Sequence, residues 1–203
     1  MRDSIPYDQR AARLLVRPLA KTRITPNHIT GLTLLLALTA AGLFATGEAH
    51  HANWAAGLFV LARFLDHFDG ELARLTGRTS RFGYYFDYVT GSISYATVYI
   101  GIGLGLAAGA NEQWPLLLGL IAGGAAFATM FLDLQIDRAR KLGENEAVRH
   151  PGGGGFELED GIYLLAPATW LGLLSPFFVL AAIGAVCYLL ATAWSLAQAR
   201  KLS

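Results

Sequence analysis

The strongest constraint on the fold is a series of long apolar segments separated by short polar ones. The chain of 203 residues is 54% hydrophobic and only 15% charged, whereas a soluble domain usually carries about a quarter charged residues. A helix needs about 20 mostly apolar residues to cross the hydrocarbon core of a bilayer. We therefore predict an all-α integral membrane protein that forms one domain over residues 1–203. Its six transmembrane helices are expected at 28–46, 53–76, 82–106, 114–136, 159–174 and 176–198.

The lysine and arginine residues outside the predicted helices lie on one side of this six-helix bundle. They lie before the first helix, between the second and third, after the fourth and at the end of the chain, and the three opposite loops contain none. Because positively charged loops stay in the cytosol, we expect a multi-pass protein of the cytoplasmic (inner) membrane with both termini in the cytosol. The N-terminus lacks the continuous apolar stretch of a cleavable signal peptide, so we expect none.

The N-terminal segment 1–27 precedes the first predicted span. Within it, residues 8–22 combine apolar Ala11, Leu14, Leu15 and Leu19 with four basic residues. This pattern predicts an amphipathic helix on the inner membrane surface, with its cations near anionic headgroups and a kink at Pro18. The alternative is a basic flank that only sets the topology. Thr25 and Pro26 predict the N-cap and first residue of the next helix.

The net charge and the cysteine content give information about nucleic-acid binding and disulfides. The net charge is only +1, which gives no indication of nucleic-acid binding. Cys187 is the single cysteine, so an intrachain disulfide is excluded. Because Cys187 lies in an apolar run, we predict a buried structural thiol.

Three aspartates, Asp66, Asp69 and Asp87, lie in or beside segments that are apolar enough to cross a membrane. An ionised carboxylate is costly there unless a cation or another partner offsets the cost. Asp66 and Asp69 share one helix face, and a short turn makes the next helix an antiparallel neighbour. We therefore expect Asp87 to oppose the pair and the three carboxylates to bind Mg²⁺ or Mn²⁺. The alternative is a satisfied polar cluster that helps the helices associate.

The spacing around these aspartates resembles the motif of the CDP-alcohol phosphotransferase family, D-x-x-D-G-x-x-A-R, eight residues, G-x-x-x-D-x-x-x-D. The matching residues are Asp66, Asp69, Gly70, Ala73, Arg74, Gly83 and Asp87. The resemblance implies metal-dependent transfer of a substituted phosphate from a CDP-linked donor, with CDP-diacylglycerol expected, to an alcohol. CMP would be released, as a step of phospholipid biosynthesis.

The resemblance also implies which residues bind the donor. Gly70, Ala73 and Gly83 would accommodate the cytidine nucleotide, and Arg74 would contact phosphate, although it could equally be a cytosolic helix-end cation. Asn27 and Thr30, in the run P-N-x-x-T, would border the nucleotide. Many members of the family are homodimers, and the glycine-rich runs GIGLGLAAGA and LIAGGAA could pack against a second copy or within one subunit.

The chain departs from the motif at its last position, where Gly91 stands in place of the fourth aspartate. In the family this aspartate is thought to ligate metal and to deprotonate the acceptor alcohol. Glycine can do neither. The acidic residues that could replace it lie near the cytosolic ends of later helices: Asp133, Asp137, Glu157 and Asp160. Glu157 and Asp160 are explained as readily by a favourable interaction with a helix dipole.

Cations on the cytosolic side could bind a phosphorylated acceptor. The candidates are Arg63, Arg138, Arg140 and Lys141. All except Arg63 are also explained by topology. Since Arg63 lies inside a predicted span, one turn before Asp66, we expect it to pair with an acid or with an anionic substrate.

Three functions are consistent with the sequence. The first is an active membrane phosphotransferase with its site at the cytosolic leaflet. The second is a catalytically impaired homologue that binds CDP-lipid or regulates a partner. The third, a cation transporter, is disfavoured because the acidic residues cluster at one membrane face instead of forming a path across the bilayer.

Overall fold

A computed structural model describes residues 7–139, 152–153 and 156–202, and this part of the chain is almost entirely helical. The two strands, β1 and β2, have two residues each and pair antiparallel, with Gly152 opposite Glu157. Short 3-10 helices cover Leu19–Lys21 and Leu158–Leu164. The α-helices are α1 (Tyr7–Leu15), α2 (Pro26–Ala45), α3 (Ala49–Thr76), α4 (Arg81–Ala110), α5 (Trp114–Ala139), α6 (Leu165–Trp170) and α7 (Leu174–Leu202).

Four helices in the described ranges are long and apolar enough to cross a membrane. They are Pro26–Ala45, Arg81–Ala110, Trp114–Asp137 and Leu174–Gln198. Helix α3 has 28 residues, but polar and charged residues interrupt its apolar run, so its span stays a prediction. The all-helical membrane fold is supported, and the count of six spans is not confirmed.

The fifth predicted helix, 159–174, is not continuous. A 3-10 segment ends at Leu164, α6 has only six residues, and Gly172 ends the segment with a φ of +75°. Pro167 gives the physical reason, because proline has no N–H to donate to the preceding turn of a helix. In the structure it falls within the first turn of α6, where such a donor is not needed.

The core is built from α2, α3 and α4, with α5 packed on α4 and α7 packed on α5. Buried Ala37, Ala40 and Ala41 of α2 meet aromatic and aliphatic side chains such as Phe59 and Ile102. Small residues bring the helix backbones close together. A Cβ on Gly119 of α5, for example, would lie 2.6 Å from the carbonyl oxygen of Tyr99 on α4.

Several glycines of the two glycine-rich runs therefore pack within one subunit. Cβ atoms at Gly101, Gly103, Gly105 and Gly123 would each come within 3.0 Å of a backbone oxygen of a neighbouring helix or loop. These contacts favour the intrasubunit alternative for the glycines involved. The homodimer itself stays a prediction.

The helix in the N-terminal segment is shorter than expected. Helix α1 ends at Leu15, and Pro18 precedes the 3-10 turn instead of kinking a continuous helix over 8–22. Ala12 and Val16 are buried against Phe68 and Leu72 of α3. The location of α1 at a membrane surface stays a prediction.

Two smaller predictions have clear outcomes. Thr25 is the N-cap of α2 and Pro26 its first residue, and the Thr25 N–H donates to His28 Nδ1 at 3.3 Å. The prediction of a buried Cys187 is wrong, because this thiol is exposed on α7. An apolar run predicts burial in protein only when other helices cover it, and most of the α7 surface is left uncovered by the rest of the chain.

Candidate active site

The three motif aspartates lie together where α3 and α4 face each other. One carboxylate oxygen from each of Asp66, Asp69 and Asp87 lies within 4.8 Å of the other two. Asp69 is buried, Asp66 is half-buried and Asp87 is exposed. Three hard oxygen donors at this separation can hold one divalent cation such as Mg²⁺ or Mn²⁺. The open side at Asp87 leaves room for substrate oxygens.

Helix α2 supplies hydroxyl groups that orient the aspartates of α3. The Thr30 hydroxyl donates to Asp69 Oδ2 at 2.5 Å. The Thr33 hydroxyl, which donates to the Thr30 carbonyl oxygen at 2.9 Å, lies 3.4 Å from Asp66 Oδ1. From the sequence, Thr30 was expected near the nucleotide, and in the structure it lies against a motif carboxylate. Thr33 was not predicted as a site residue, although it lies one turn after Thr30 on the same helix face.

Arg63 pairs with an acid inside the bundle, as its position predicted. Its guanidinium lies 3.1 Å from Asp66 Oδ2, and its Cζ lies 4.8 Å from the centre of the Tyr95 ring. The arginine side chain is only 13% exposed. A cation held between a carboxylate and an aromatic face orients Asp66 toward the cluster.

The small residues of the motif lie beside polar side chains. A Cβ on Gly83 would meet Asn27 Oδ1 at 3.0 Å, and a Cβ on Gly70 would meet the Arg74 guanidinium at 3.5 Å. Ala73 is half-buried one turn beyond Gly70. The structure therefore brings Asn27 to Gly83 and Arg74 to Gly70, next to the three aspartates.

Glu71 is a buried residue of the site that was not predicted from the sequence. Its Oε1 accepts from Arg74 at 2.8 Å, and its Oε2 accepts from Arg13 Nε at 3.2 Å. The available signal was an acidic residue between Gly70 and Leu72, in a segment where burial is expected. Only the fold shows that α1 supplies one of its partners.

Gly91 is half-buried on α4, and among the described residues an added Cβ would have no heavy atom within 4 Å apart from its own helix backbone and chain neighbours. Space for a side chain therefore exists at the position that departs from the motif. Asp133 is half-buried on α5, six residues before the end of that helix.

Asp137 lies one turn after Asp133 and is buried between α4 and α5. Its Oδ2 accepts from the hydroxyls of Tyr84 and Tyr88 at 2.5 and 2.6 Å, and its buried Oδ1 has no hydrogen-bond partner among the described residues. These hydrogen bonds connect α4 to α5 and give the Asp137 carboxylate a structural role.

The remaining predicted residues lie in or beside the long polar loop. Glu157 is in β2 and Asp160 is in the following 3-10 helix, so neither stands in the first turn of an α-helix as expected. Their side chains lie outside the described part of the chain. Arg138 is in the last turn of α5, and Arg140 and Lys141 lie outside the described residues.

Comparison with known protein families shows to which family the chain belongs. The CDP-alcohol phosphatidyltransferase family matches residues 23–199. The chain belongs to this family. Its members are membrane phosphatidyltransferases of phospholipid biosynthesis. Membership of the family therefore supports the transferase class and a membrane location for this chain.

The similar proteins are of two kinds. Archaetidylinositol phosphate synthase of Pyrococcus horikoshii is 36% identical over 89 residues, a match that spans 44% of this chain and 46% of that protein. Phosphatidylinositol phosphate synthase of Mycobacterium tuberculosis with CDP-DAG bound has a TM-score of 0.69 at 21% identity, over 92% of this chain and 94% of the other. The same enzyme in complex with manganese and citrate has a TM-score of 0.68 at 21% identity, over 91% and 88%. At this identity the two structures establish the fold.

Proposed function

We propose that the protein is a metal-dependent CDP-alcohol phosphotransferase whose site faces the cytosol at the inner leaflet of the cytoplasmic membrane. It transfers a substituted phosphate from CDP-diacylglycerol to an alcohol and releases CMP. The observation that carries the proposal is the convergence of Asp66, Asp69 and Asp87 within 4.8 Å, at the spacing that the family motif requires. The relative with CDP-DAG bound, which has the same fold, supports the choice of donor.

The metal ligands would be the three aspartates. A bound Mg²⁺ or Mn²⁺ supplies positive charge to phosphate oxygens and so stabilises a leaving phosphate. Asp69 is already held by the Thr30 hydroxyl, and Asp66 by the Arg63 guanidinium. These contacts hold the carboxylates in place before a ligand binds, which reduces the cost of ordering them. The manganese complex of the structural relative is consistent with either metal.

The remaining motif residues would bind the donor. Gly70 and Gly83 lack side chains, so the cytidine nucleotide can approach the backbones of α3 and α4. Asn27, at Gly83, offers an amide for hydrogen bonding, and Arg74, at Gly70, offers a guanidinium for phosphate. In the transfer, a bond forms between the acceptor oxygen and the lipid-linked phosphorus, and the bond from that phosphorus to CMP breaks.

The proton of the acceptor hydroxyl needs a base, and Gly91 cannot supply one. Among the acidic residues with described side chains, Asp133 is half-buried near the same end of the bundle, and we propose it as the first residue to test as a replacement. Glu157 and Asp160 are the further substitutes. Gly91 also favours a second candidate function, an impaired homologue that binds CDP-lipid without useful turnover.

The test is CMP release from CDP-diacylglycerol by the purified chain with Mg²⁺ or Mn²⁺ and a panel of acceptor alcohols. The panel begins with inositol phosphate, because the names of both relatives specify inositol phosphate products. We expect metal-dependent release that chelation abolishes, that Asp69→Asn reduces at least about 100-fold, and that Glu48→Gln leaves unchanged. Glu48 is an exposed acid outside the cluster.

Two outcomes would decide against catalysis. Binding of CDP-diacylglycerol without CMP release would establish the impaired homologue. The absence of both binding and release with every acceptor would refute the proposal.

A further inference from the structure

Glu71 lies between the motif residues Gly70 and Ala73, yet the family motif leaves its position open. Its side chain is only 6% exposed, and it forms ion pairs with two arginines on different helices. Arg74 of α3 reaches Oε1 at 2.8 Å, and Arg13 of α1 reaches Oε2 at 3.2 Å. Each oxygen of the carboxylate therefore accepts from a different guanidinium.

Arg13 comes from a helix that docks on α3 through apolar contacts. Ala12 and Val16, on either side of Arg13, are fully buried and pack with Phe68 and Leu72. These contacts fix α1 beside the motif helix, and the Arg13–Glu71 pair lies at the edge of the contact. Removing one partner of a buried ion pair leaves the other charge poorly compensated. One of the two ion pairs of Glu71 therefore depends on the position of α1.

The guanidinium of Arg74 lies where it can reach a ligand at Gly70. A Cβ on Gly70 would be 3.5 Å from both terminal nitrogens of Arg74, so the guanidinium lies beside the position that a side chain at residue 70 would occupy. The Arg74 side chain is 50% exposed, which leaves it accessible to a phosphate. Without Glu71, a long and flexible side chain at the end of α3 would sample many rotamers.

We propose that Glu71 and Arg13 are positioning residues that hold Arg74 over Gly70, so that docking of α1 on α3 sets the affinity of the site for the CDP-linked donor. The proposal rests on the proposed function, since it takes Arg74 as a donor-binding residue. It assigns α1 a role in donor binding in addition to any contact with the membrane.

The experiment compares full-length Arg13→Ala with Arg17→Ala, its matched control. Arg17 is a nearby arginine that is also exposed, and it forms no ion pair in the described part of the chain. Calorimetric titration with CDP in the presence of Mg²⁺ gives the Kd, and CMP release gives KM and kcat for CDP-diacylglycerol. We expect Arg13→Ala to raise the Kd and KM about 3- to 10-fold, because Arg13 is about half exposed and acts on the donor only through Glu71 and Arg74. The kcat should stay within about twofold.

Three further variants separate positioning from a general loss of structure. Arg13→Lys keeps a charge near Glu71 and should recover part of the affinity. Glu71→Gln should raise the Kd at least as much as Arg13→Ala, because the amide keeps one acceptor but loses the charge. In an Arg74→Ala background, Arg13→Ala should raise the Kd no further, since the effect passes through Arg74.

The outcomes distinguish this inference from the proposed function. If the unmodified chain binds CDP and Arg13→Ala binds it equally well, or if Arg13→Ala weakens binding as much without Arg74 as with it, the positioning role is refuted and the enzyme assignment stands. If the unmodified chain neither binds CDP nor releases CMP, both are refuted.

Discussion

Restoring the fourth carboxylate by Gly91→Asp is the sharpest test of how this site works. Position 91 lies one turn beyond Asp87 on α4, so both side chains occur on one helix face. In the part of the chain that the structure describes, an added Cβ would have no heavy atom within 4 Å apart from its own helix backbone and chain neighbours. We therefore expect the variant to fold without rearrangement of neighbouring helices.

The size of the expected effect follows from the missing base. General-base catalysis typically contributes about 10²- to 10⁴-fold, which corresponds to about 3–5 kcal/mol of transition-state stabilisation at 1.36 kcal/mol per tenfold change. The change in helix propensity is below about 1 kcal/mol. If the unmodified site lacks a base, kcat should therefore rise by at least about 100-fold.

A fourth carboxylate should also change the response to metal. Without metal it adds like charge to a cluster of three aspartates, which lowers the free energy of unfolding. With metal it adds a ligand. We therefore expect the rise in Tm on addition of Mn²⁺ to be larger in Gly91→Asp than in the unmodified chain.

The assay is CMP release from CDP-diacylglycerol, with Tm measured in parallel in the same detergent. Gly91→Asn is the matched control, because asparagine has nearly the same size but is not a base. If Gly91→Asn raises kcat as much as Gly91→Asp, the gain does not come from a base and the prediction is refuted. If the unmodified chain is active and Gly91→Asp is no faster, the unmodified site already has a base, as proposed for Asp133. Asp133→Asn would then be the next variant to measure.

Three further variants test the packing and hydrogen bonding around the site. Thr30→Val removes the 2.5 Å hydrogen bond to Asp69, and we expect the unfolding free energy to fall by about 1.5–3 kcal/mol and Mn²⁺ to bind more weakly; an unchanged Mn²⁺ titration would contradict this. Gly119→Ala places a Cβ 2.6 Å from a backbone carbonyl oxygen of α4, and we expect it to lower the unfolding free energy by about 1–3 kcal/mol. Its control is Gly124→Ala, which has open space among the described residues and should leave Tm equal or higher. An equal loss of stability in the two variants would contradict the close approach of α5 to α4. Tyr88→Phe removes one of two hydroxyl donors to the buried carboxylate on α5 and should lower Tm by an amount equivalent to about 1.5–3 kcal/mol; an unchanged Tm would contradict the bond.

The apolar runs predict most of the helices because a backbone in lipid has to satisfy its own hydrogen bonds. Helices α2, α4, α5 and α7 begin and end close to the predicted positions. The failure at 159–174 has a local cause, since hydropathy measures how apolar a segment is but not whether Pro167 lets one helix run through it. The buried thiol predicted at Cys187 failed because the sequence does not show which helices are covered by others.

The convergence of Asp66, Asp69 and Asp87 also follows from the sequence, because the 3.6-residue period and a short turn between antiparallel helices leave few alternatives. The sequence by itself thus determined the helical class, the family and the three acidic residues of the site. Only the tertiary structure placed Thr30 and Thr33 against two of these aspartates and joined Arg13 to Glu71. Those contacts link residues from 33 to 58 positions apart. They depend on how α1 and α2 pack against α3, and local periodicity carries no information about which faces of distant helices meet.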